Sequence, residues 1–479
     1  MIASKHLLLL LPLAGLLASG CTSDYARNAA GFHDSFAGGD YGTALEQATK
    51  ATEAAQPNDA VIMKLQLGSI QRAAGMPTAA AKTFEEAEDL FSAYDRTPEV
   101  SLSGEGISAF SNPYALPYRG KAYDRTMAAT FQALSHLQAG DGAKARVAMN
   151  RALFRQEDAK RLSAEKARIA REEGTAARSA DVRTSQAADS DAVAKATRAS
   201  QALLADLPSY KDYVNPFTSW LHGVFFLHRA ETQGDVEKAR KSLELASVLL
   251  KDNSVVKADL ALASAGQGRP AVAGQTTVYV LHESGRAPVW SENKFTFPFI
   301  LVDQSAPIIS VALPEMKPVP DSTELVAVYG GKETKTDTLL NVDAIAAQDF
   351  RDEYPVARNR AIASATVKGI AAYVANKAAK EAADRNSNGG GGFIMLATLI
   401  ATNVYTTQSA QADLRHWSTL PKKVSLARLT VPAGATLTLR NSLGAPGVPV
   451  TLPAGKAVIL SCKTPATGGQ LSVHTITLN

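Results

Sequence analysis

The side chains best suited to chemistry lie together late in the chain. Asp413, Arg415, His416 and Trp417 bring a carboxylate, a guanidinium, an imidazole and an indole into one short stretch. An imidazole exchanges protons near neutral pH, and the guanidinium can pair with Asp413 or stack on Trp417. We expect these residues to form a structural corner between a helical hairpin and a sheet rather than a catalytic centre.

Recognised catalytic and metal-binding motifs are absent from the sequence. It contains no HExxH, CxxC, Gly-x-Ser-x-Gly or Walker loop, and the glycines at 389–392 lack the Lys and Ser/Thr of a phosphate cradle. His222 and His228 lie six positions apart, on different faces of a helix, which argues against a shared metal. The only cysteines are Cys21 and Cys462, too few for a disulfide framework. We predict no enzyme activity, no catalytic residue, no metal and no cofactor.

Cys21 is the one residue with a predicted covalent chemistry. An apolar stretch at 7–17 follows Lys5, and LASG at 17–20 resembles the lipobox of bacterial lipoproteins. In such proteins the chain is cut before the cysteine, which then carries acyl chains; two or more anchor stably. Thr22 replaces the Asp that retains lipoproteins in the inner membrane. We predict a signal peptide at 1–20 and an outer-membrane lipid anchor facing the periplasm; an ordinary signal with an incidental cysteine is the alternative.

Composition and charge limit the remaining classes of function. The 479 residues are 46% hydrophobic, as in globular proteins, and the length allows roughly two to four domains. Lys and Arg number 50 against 46 Asp and Glu, which gives a net charge of +4. A nucleic-acid surface needs concentrated basic residues, so we expect no nucleic-acid partner.

Four units in the first half share a glycine followed by alanines five and twelve positions later. A larger residue or a third alanine stands nine after each glycine. Such a glycine permits a tight turn, and the alanines let a neighbouring helix approach closely. This pattern is similar to the second helix of a tetratricopeptide (TPR) repeat; a generic alanine-rich bundle is the alternative. The units are Gly39, Ala44, Ala48 and Ala51; Gly75, Ala80, Phe84 and Ala87; Gly140, Ala145, Met149 and Ala152; and Gly234, Ala239, Leu243 and Ala246.

We therefore predict a TPR-like helical domain over 21–270. Residues 157–206 interrupt the repeats with mixed charges and few apolar side chains, which indicates either a long exposed helical hairpin or a partly disordered insertion. By analogy with TPR proteins, a concave face would bind protein partners. Candidate contact residues lie in and just after the turn-rich aromatic stretch at 111–120, on the polar helix face after 140, and near 415. They are Tyr118, Tyr123, Arg146, Asn150, Arg151, Arg415 and Trp417.

Two sets of short motifs resemble an uncharacterised family of bacterial lipoproteins. The helical set is GKAYDR at 120–125, AL at 133–134, GD at 140–141, ARV at 145–147, NRA at 150–152 and RQ at 155–156. The later set is ADLRHWSTLP at 412–421, in which Leu414 replaces the family's threonine. The resemblance implies TPR-like helices followed by a C-terminal β-rich region. It brings no established activity.

The second half, 271–479, has the alternation of short strands with Pro and Gly turns between them. The expected strands are 275–281, 294–301, 308–313, 324–329, 424–431, 435–439, 448–452, 457–462 and 471–478. We predict a small β-sandwich-like domain with a helical hairpin inserted at 358–410, whose tip is the glycine-rich stretch at 386–392. The hairpin either packs on the sheet or contacts a membrane or another copy. The predicted fold class is therefore α+β: a TPR-like α-helical repeat domain followed by the β-sandwich-like domain.

These features favour a non-catalytic scaffold or adaptor that binds proteins of the cell envelope. A structural subunit that self-assembles through the 358–410 hairpin, and hence a homo-oligomer, is the alternative.

Overall fold

The fold is mixed α+β in a computed structural model. It describes residues 24–97, 112–180, 191–202, 204–207, 210, 213–266, 274–298, 308–319, 323–385, 391–441, 446–453 and 457–478. The predicted signal peptide, Cys21 and the centre of the glycine-rich tip lie outside these residues. Within this part of the chain, no helix combines the length and apolar character needed to cross a membrane.

The first half of the described chain is helical. Its helices are α1 (Asp24–Gly38), α2 (Tyr41–Glu53), α3 (Ala60–Ala73), α4 (Pro77–Asp95), α5 (Ala122–Gln138), α6 (Gly142–Ala180), α7 (Asp191–Ala202), α8 (Pro216–His228), α9 (Gln233–Leu249) and α10 (Ser254–Ser264). In the charged insertion, α6 continues to Ala180 and α7 follows, with residues 181–190 outside the described ranges.

Three of the predicted glycine turns are present. Gly39, Gly75 and Gly140 have φ of 83°, 75° and 81° and follow the ends of α1, α3 and α5. At Gly75, the amide of Met76 donates to the carbonyl of Gln71 at 2.9 Å, which closes the helix end. The alanines of all four units are buried, as their close-packing role requires.

The fourth turn was predicted wrongly. Gly234 lies inside the first turn of α9, because Thr232 caps this helix before the glycine: its Oγ1 accepts from the amide of Asp235 at 3.3 Å. The helix-packing glycine of this unit is Gly223 in α8, where an added Cβ would lie 2.5 Å from Leu243.

The second half contains eleven strands within the described residues. They are β1 (Gln275–Ser284), β2 (Val289–Pro298), β3 (Ile308–Lys317), β4 (Leu325–Tyr329), β5 (Lys332–Lys335), β6 (Asp337–Asn341), β7 (Lys423–Pro432), β8 (Thr436–Asn441), β9 (Val448–Thr451), β10 (Ala457–Thr464) and β11 (Ser472–Thr477). They form sheets of order β11-β10-β1-β7-β6, β5-β4-β8-β9 and β2-β3. Strands β1 and β10 are parallel, and the other pairs are antiparallel.

The five-stranded sheet is buried on both faces. Side chains on one face, such as Val278 and Val458, join a cluster with Leu325 and Leu439 of the four-stranded sheet. Side chains on the other face belong to a core shared with the helices. Buried Cys462 of β10 lies in the first cluster, as expected for a small apolar residue, and burial raises the pKa of its thiol.

The helical and β-rich regions are joined by buried charges as well as by the common core. Arg72 of α3 donates to Glu283 of β1 at 2.6 Å, and Lys463 of β10 donates to the same carboxylate at 2.9 Å. Burial alone would raise the pKa of Glu283, but the two cations hold it at about 2. An ionised triad thus lies between the two regions.

The hairpin is longer than its pattern predicts. Helix α11 (Val342–Arg385) begins sixteen residues before the expected start at Arg358 and continues through Pro355. Helix α12 (Gly391–Gln408) returns along it, where Thr402 Oγ1 donates to Asn376 Oδ1 at 2.8 Å. The hairpin also contacts β3, since Thr406 Oγ1 donates to the carbonyl of Ile308 at 2.6 Å.

Candidate functional site

The chain after the hairpin, residues 409–420, enters the helical region; we call it the joint segment. Both the Tyr25 hydroxyl and Gln66 Nε2 donate to the carbonyl of His416, each at 3.0 Å. Gln66 Oε1 accepts from the amide of Thr419 at 3.1 Å. The backbone of the joint segment is therefore hydrogen-bonded by helices α1 and α3.

Arg415 is the most connected side chain of the joint segment and is 2% exposed. Its guanidinium donates to Asp59 at 3.1 Å and to Asp413 at 2.7 Å, and its charge faces the rings of Tyr114 and Tyr118. It also donates to three backbone carbonyls, those of Asn58, Pro113 and Leu116. The predicted ion pair between Arg415 and Asp413 is present. The predicted stacking partner was Trp417, whereas the guanidinium lies against the rings of Tyr114 and Tyr118.

Trp417 occupies the centre of the helical core. Its indole N–H donates to Ser69 Oγ and Thr419 Oγ1, each at 3.0 Å, and its ring lies 5.9 Å from that of Phe84 and 5.8 Å from that of Phe131. His416, between Arg415 and Trp417, is also buried, and its Nδ1 faces the carbonyl of Leu414 at 2.8 Å. Burial lowers the pKa of His416 to about 4. These contacts are those of a structural corner.

The two predicted tyrosines are buried in the same region. The Tyr118 hydroxyl donates to Asp124 Oδ2 at 2.5 Å, and Asp124 also accepts from the amide of Lys121 at 3.0 Å. Burial raises the pKa of Asp124 to about 7. Tyr123 is equally enclosed, at 3% exposure.

The predicted role of four residues must therefore be corrected. Tyr118, Tyr123, Arg415 and Trp417 cannot contact a partner at the surface, because the chain's own joint segment and helices enclose them. Aromatic and arginine side chains are typical both of interfaces and of buried joints, and the sequence pattern does not separate the two.

The other predicted residues are not brought together with them. Arg146 pairs with Asp235 at 2.9 Å and Glu231 at 3.0 Å, which joins α6 to the start of α9. Arg151 donates to Gln132 Oε1 at 2.9 Å. Asn150 alone is exposed, between exposed Val147 and Phe154 on α6.

An apolar stripe is exposed on the hairpin; we call it the hairpin stripe. Leu396, Ile400 and Val404 of α12 are 56%, 56% and 38% exposed. Their four-residue spacing places them on one face of the helix, and α12 contains no charged residue. Val374 of α11 is exposed as well.

A cavity of about 470 Å³ lies between α11, α6, β3 and the chain at 113–121; we call it the α11 cavity. Its α11 wall follows one helix face from Phe350 to Lys368, about 27 Å at 1.5 Å per residue. Small or apolar side chains cover much of this length, and β3 supplies alternate residues. These lining residues are Ala357, Ala361, Ala365, Ser310, Ala312 and Pro314.

The charges at one end of the cavity are paired with one another. Lys121 and Lys166 donate to Glu353 at 2.5 and 2.6 Å, and Lys166 also pairs with Asp349 at 3.2 Å. Burial would raise the pKa of Glu353, but the two lysines hold it at about 2. This network joins the N-cap residue of α5 to α6 and α11.

The opposite end of the cavity contains two polar groups, Ser310 and Lys368, that the sequence pattern did not single out. Ser310 Oγ is buried and has no hydrogen-bond partner among the described residues. Trp290 Nε1 also lacks a partner among them, but it lies at the charged end, where Lys121 Nζ is 4.0 Å from the centroid of the Trp290 ring. Lys368 Nζ donates to the carbonyl of Ser409 at 2.7 Å. Burial, and then the charge of Lys294, lower the pKa of Lys368 to about 8. The sequence feature that could have identified this end of the cavity was the helical spacing of Ala361, Ala365 and Lys368, which places them on one face of the helix.

Among the described residues, no group of three or more His, Cys, Asp or Glu side chains is arranged to hold a metal ion.

Comparison with known proteins identifies no family. No protein-family profile matches the chain, and no curated protein is similar to it. One solved structure matches, a tetratricopeptide repeat protein from Parabacteroides merdae, with 16% identity over 50% of this chain and 99% of that one. Its TM-score is 0.14.

Proposed function

We propose that this protein is a non-catalytic scaffold of the cell envelope. It is anchored in the outer membrane through lipid on Cys21 and faces the periplasm. The lipobox-like sequence before Cys21 and the repeated glycine–alanine units support this proposal. Under this proposal, the helices form a TPR-like domain, and the two larger sheets form a sandwich-like domain that supports the hairpin.

The observation that carries the proposal is the hairpin stripe. Leu396, Ile400 and Val404 form an exposed apolar row on a helix without charges. Contiguous exposed apolar surface indicates an interaction site. A helix that offers apolar residues every four positions pairs best with an apolar helix face of another protein, and we propose such a face on an envelope protein as the partner.

The burial of Tyr118, Tyr123, Arg415 and Trp417 supports this placement of the binding surface. A partner would have to displace the joint segment to reach these side chains. The hairpin stripe is accessible without any such rearrangement.

Self-association through the same stripe is the second candidate. The stripe is uncharged, so two copies can approach without electrostatic repulsion. In this case the protein is a structural subunit that forms an envelope assembly through 358–410.

The test replaces Leu396, Ile400 and Val404 together by serine in the full-length chain. Crosslinking in cells and light scattering after detergent extraction measure the partners and the mass. The matched control is Val147→Ser with Phe154→Ser, since these α6 side chains are 58% and 60% exposed. Cys21→Ala, analysed by membrane fractionation, tests the anchor.

We expect a discrete crosslinked partner that the hairpin variant loses and the control keeps. A homogeneous self-assembled particle that only the hairpin variant dissociates favours the second candidate. Crosslinks and mass unchanged by the hairpin variant contradict both.

A further inference from the structure

The α11 cavity plays no part in the proposed scaffold function and has the features of a ligand site. Its volume of about 470 Å³ lies within the range of small-molecule pockets, about 300–1,000 Å³. It is long rather than round, because its wall follows α11 from Phe350 to Lys368. An elongated ligand fits this shape.

One end of the cavity offers a hydroxyl and an ammonium group. Ser310 and Lys368 both line it, and both are at least nine-tenths buried. They lie at the same end, since Lys368 bonds to the carbonyl of Ser409 and Ala312, two residues after Ser310, packs on Ala410. Ser310 Oγ is without a partner among the described residues. A hydroxyl and an ammonium group at the same end of a cavity suit a carboxylate or phosphate.

Beyond that end, small side chains line both walls: Ala312 on β3, and Ala361 and Ala365 on α11. The rings of Phe350 and Trp290 lie at the far end, beside the mutually paired charges of Lys121, Lys166 and Glu353. Small side chains leave room for an extended chain, and aromatic rings supply apolar surface for its end.

The distribution of polar partners favours an acyl chain over a peptide. An enclosed peptide needs hydrogen bonds along its whole backbone. The charged groups beyond Ala361 are already paired, as in Lys166 with Glu353 and Arg360 with Glu173. An acyl chain needs polar contacts only at its head group.

We propose that the α11 cavity binds a single-chain anionic amphiphile, with its acidic head group at Ser310 and Lys368 and its acyl chain extending towards Phe350. The head group accepts hydrogen bonds from Ser310 Oγ and Lys368 Nζ. No covalent step is involved.

The test measures binding of hexadecanoate to the full-length chain in a fixed concentration of non-ionic detergent, by displacement of a fluorescent fatty acid. Hexadecanol and a short acidic peptide are the comparison ligands, and empty micelles give the background. The variants are Lys368→Met, Ser310→Ala and Ala361→Trp, which fills the cavity. Lys241→Met is the matched control for Lys368→Met, because it removes an exposed lysine that does not line the cavity.

We expect hexadecanoate to bind one per chain and hexadecanol at least tenfold more weakly. Lys368→Met is expected to weaken hexadecanoate binding about tenfold or more, as for a charged hydrogen bond, and Ala361→Trp to abolish it. Ser310→Ala, which deletes one hydroxyl, is also expected to weaken hexadecanoate binding. This second variant keeps the test valid if Lys368→Met does not fold. Lys241→Met is expected to change affinity less than threefold.

Equal binding of the acid and the alcohol, or binding unaffected by Ser310→Ala and Ala361→Trp, would overturn the proposal. So would preferential binding of the acidic peptide. Circular dichroism of each variant separates lost binding from lost folding. Because this readout does not involve the hairpin stripe, it can fail while the scaffold proposal stands.

Discussion

Arg415 shows how a single side chain joins distant parts of this molecule. It pairs with Asp413, two residues away, and with Asp59, more than 350 residues away. The local pair was predictable from sequence spacing. The distant pair was not, because nothing in the neighbourhood of Asp59 distinguishes it from other acidic residues on a helix start.

Replacing Arg415 by Met should destabilise the protein strongly. The change removes a buried cation that pairs with Asp59 and Asp413, and breaking a buried ion pair costs about 3–5 kcal/mol. Urea unfolding measures the loss. Arg240→Met is the control, since Arg240 pairs with Glu237 and Glu244 at the surface and this change should alter stability by less than about 0.5 kcal/mol. Equal effects of the two changes would contradict this role for Arg415.

His222 should make stability depend on pH. It lies between Ser242 and the ring of Phe226, and burial, then the charge of Lys238, lower its pKa to about 3. Between this value and the ordinary pKa of about 6.5, the unfolded chain binds the proton and the folded chain does not. His222 therefore costs stability as pH falls, by up to about 1.4 kcal/mol per pH unit.

The variant His222→Gln keeps a hydrogen-bonding group beside Ser242 but does not titrate. Urea unfolding at pH 7, 6 and 5 should show a shallower loss of stability than in the wild type. Identical slopes for the two proteins would mean that His222 is not buried in its neutral form.

At the scale of elements, the glycines test helix packing. Gly223→Ala places a Cβ 2.5 Å from Leu243, and this overpacking should cost about 1–3 kcal/mol. Gly234→Ala meets nothing closer than Thr232 Oγ1 at 3.5 Å and should leave stability unchanged or raise it by up to about 1 kcal/mol. Thermal unfolding of both variants provides the comparison. If Gly234→Ala destabilised the protein, this result would instead support the tight glycine turn predicted from the sequence at this position.

Periodicity predicted most elements and missed those that break local rules. Alternation located β1, β3, β4 and β7–β11 within a few residues of their bounds. The short polar strands β5 and β6 have no such alternation, and β5 lies exposed beside β4. The hairpin was predicted to start at 358, but α11 begins at Val342 and continues through Pro355, because packing of Phe350 and Ile345 in the core stabilises the turns before the proline.

At the scale of the whole molecule, the helical and β-rich regions share one core. Trp417 packs among the helices, and the Arg72–Glu283–Lys463 triad lies between the regions. We predict that residues 24–266, expressed alone, will lack fixed tertiary packing, because Arg72 and the surface around Phe84 and Phe131 lose their partners. Near-ultraviolet circular dichroism and dye binding measure this packing. A rigid, cooperatively unfolding fragment would contradict the shared core.

The sequence predicted the two types of region but not how they meet. The joint segment follows the hairpin in sequence and enters the helices through contacts such as Gln66 with His416, which no local pattern encodes. This is why residues predicted to meet a partner proved to be internal, while the hairpin stripe remained at the surface.

The most direct test of the hairpin stripe as the binding surface is site-specific photo-crosslinking in cells. A photoreactive residue is placed at Ile400 in one strain and at Val147, which is similarly exposed, in another. We predict a defined protein adduct from position 400 that disappears with Leu396→Ser and Val404→Ser, and none from position 147. An adduct from position 147 with none from position 400 would contradict the account.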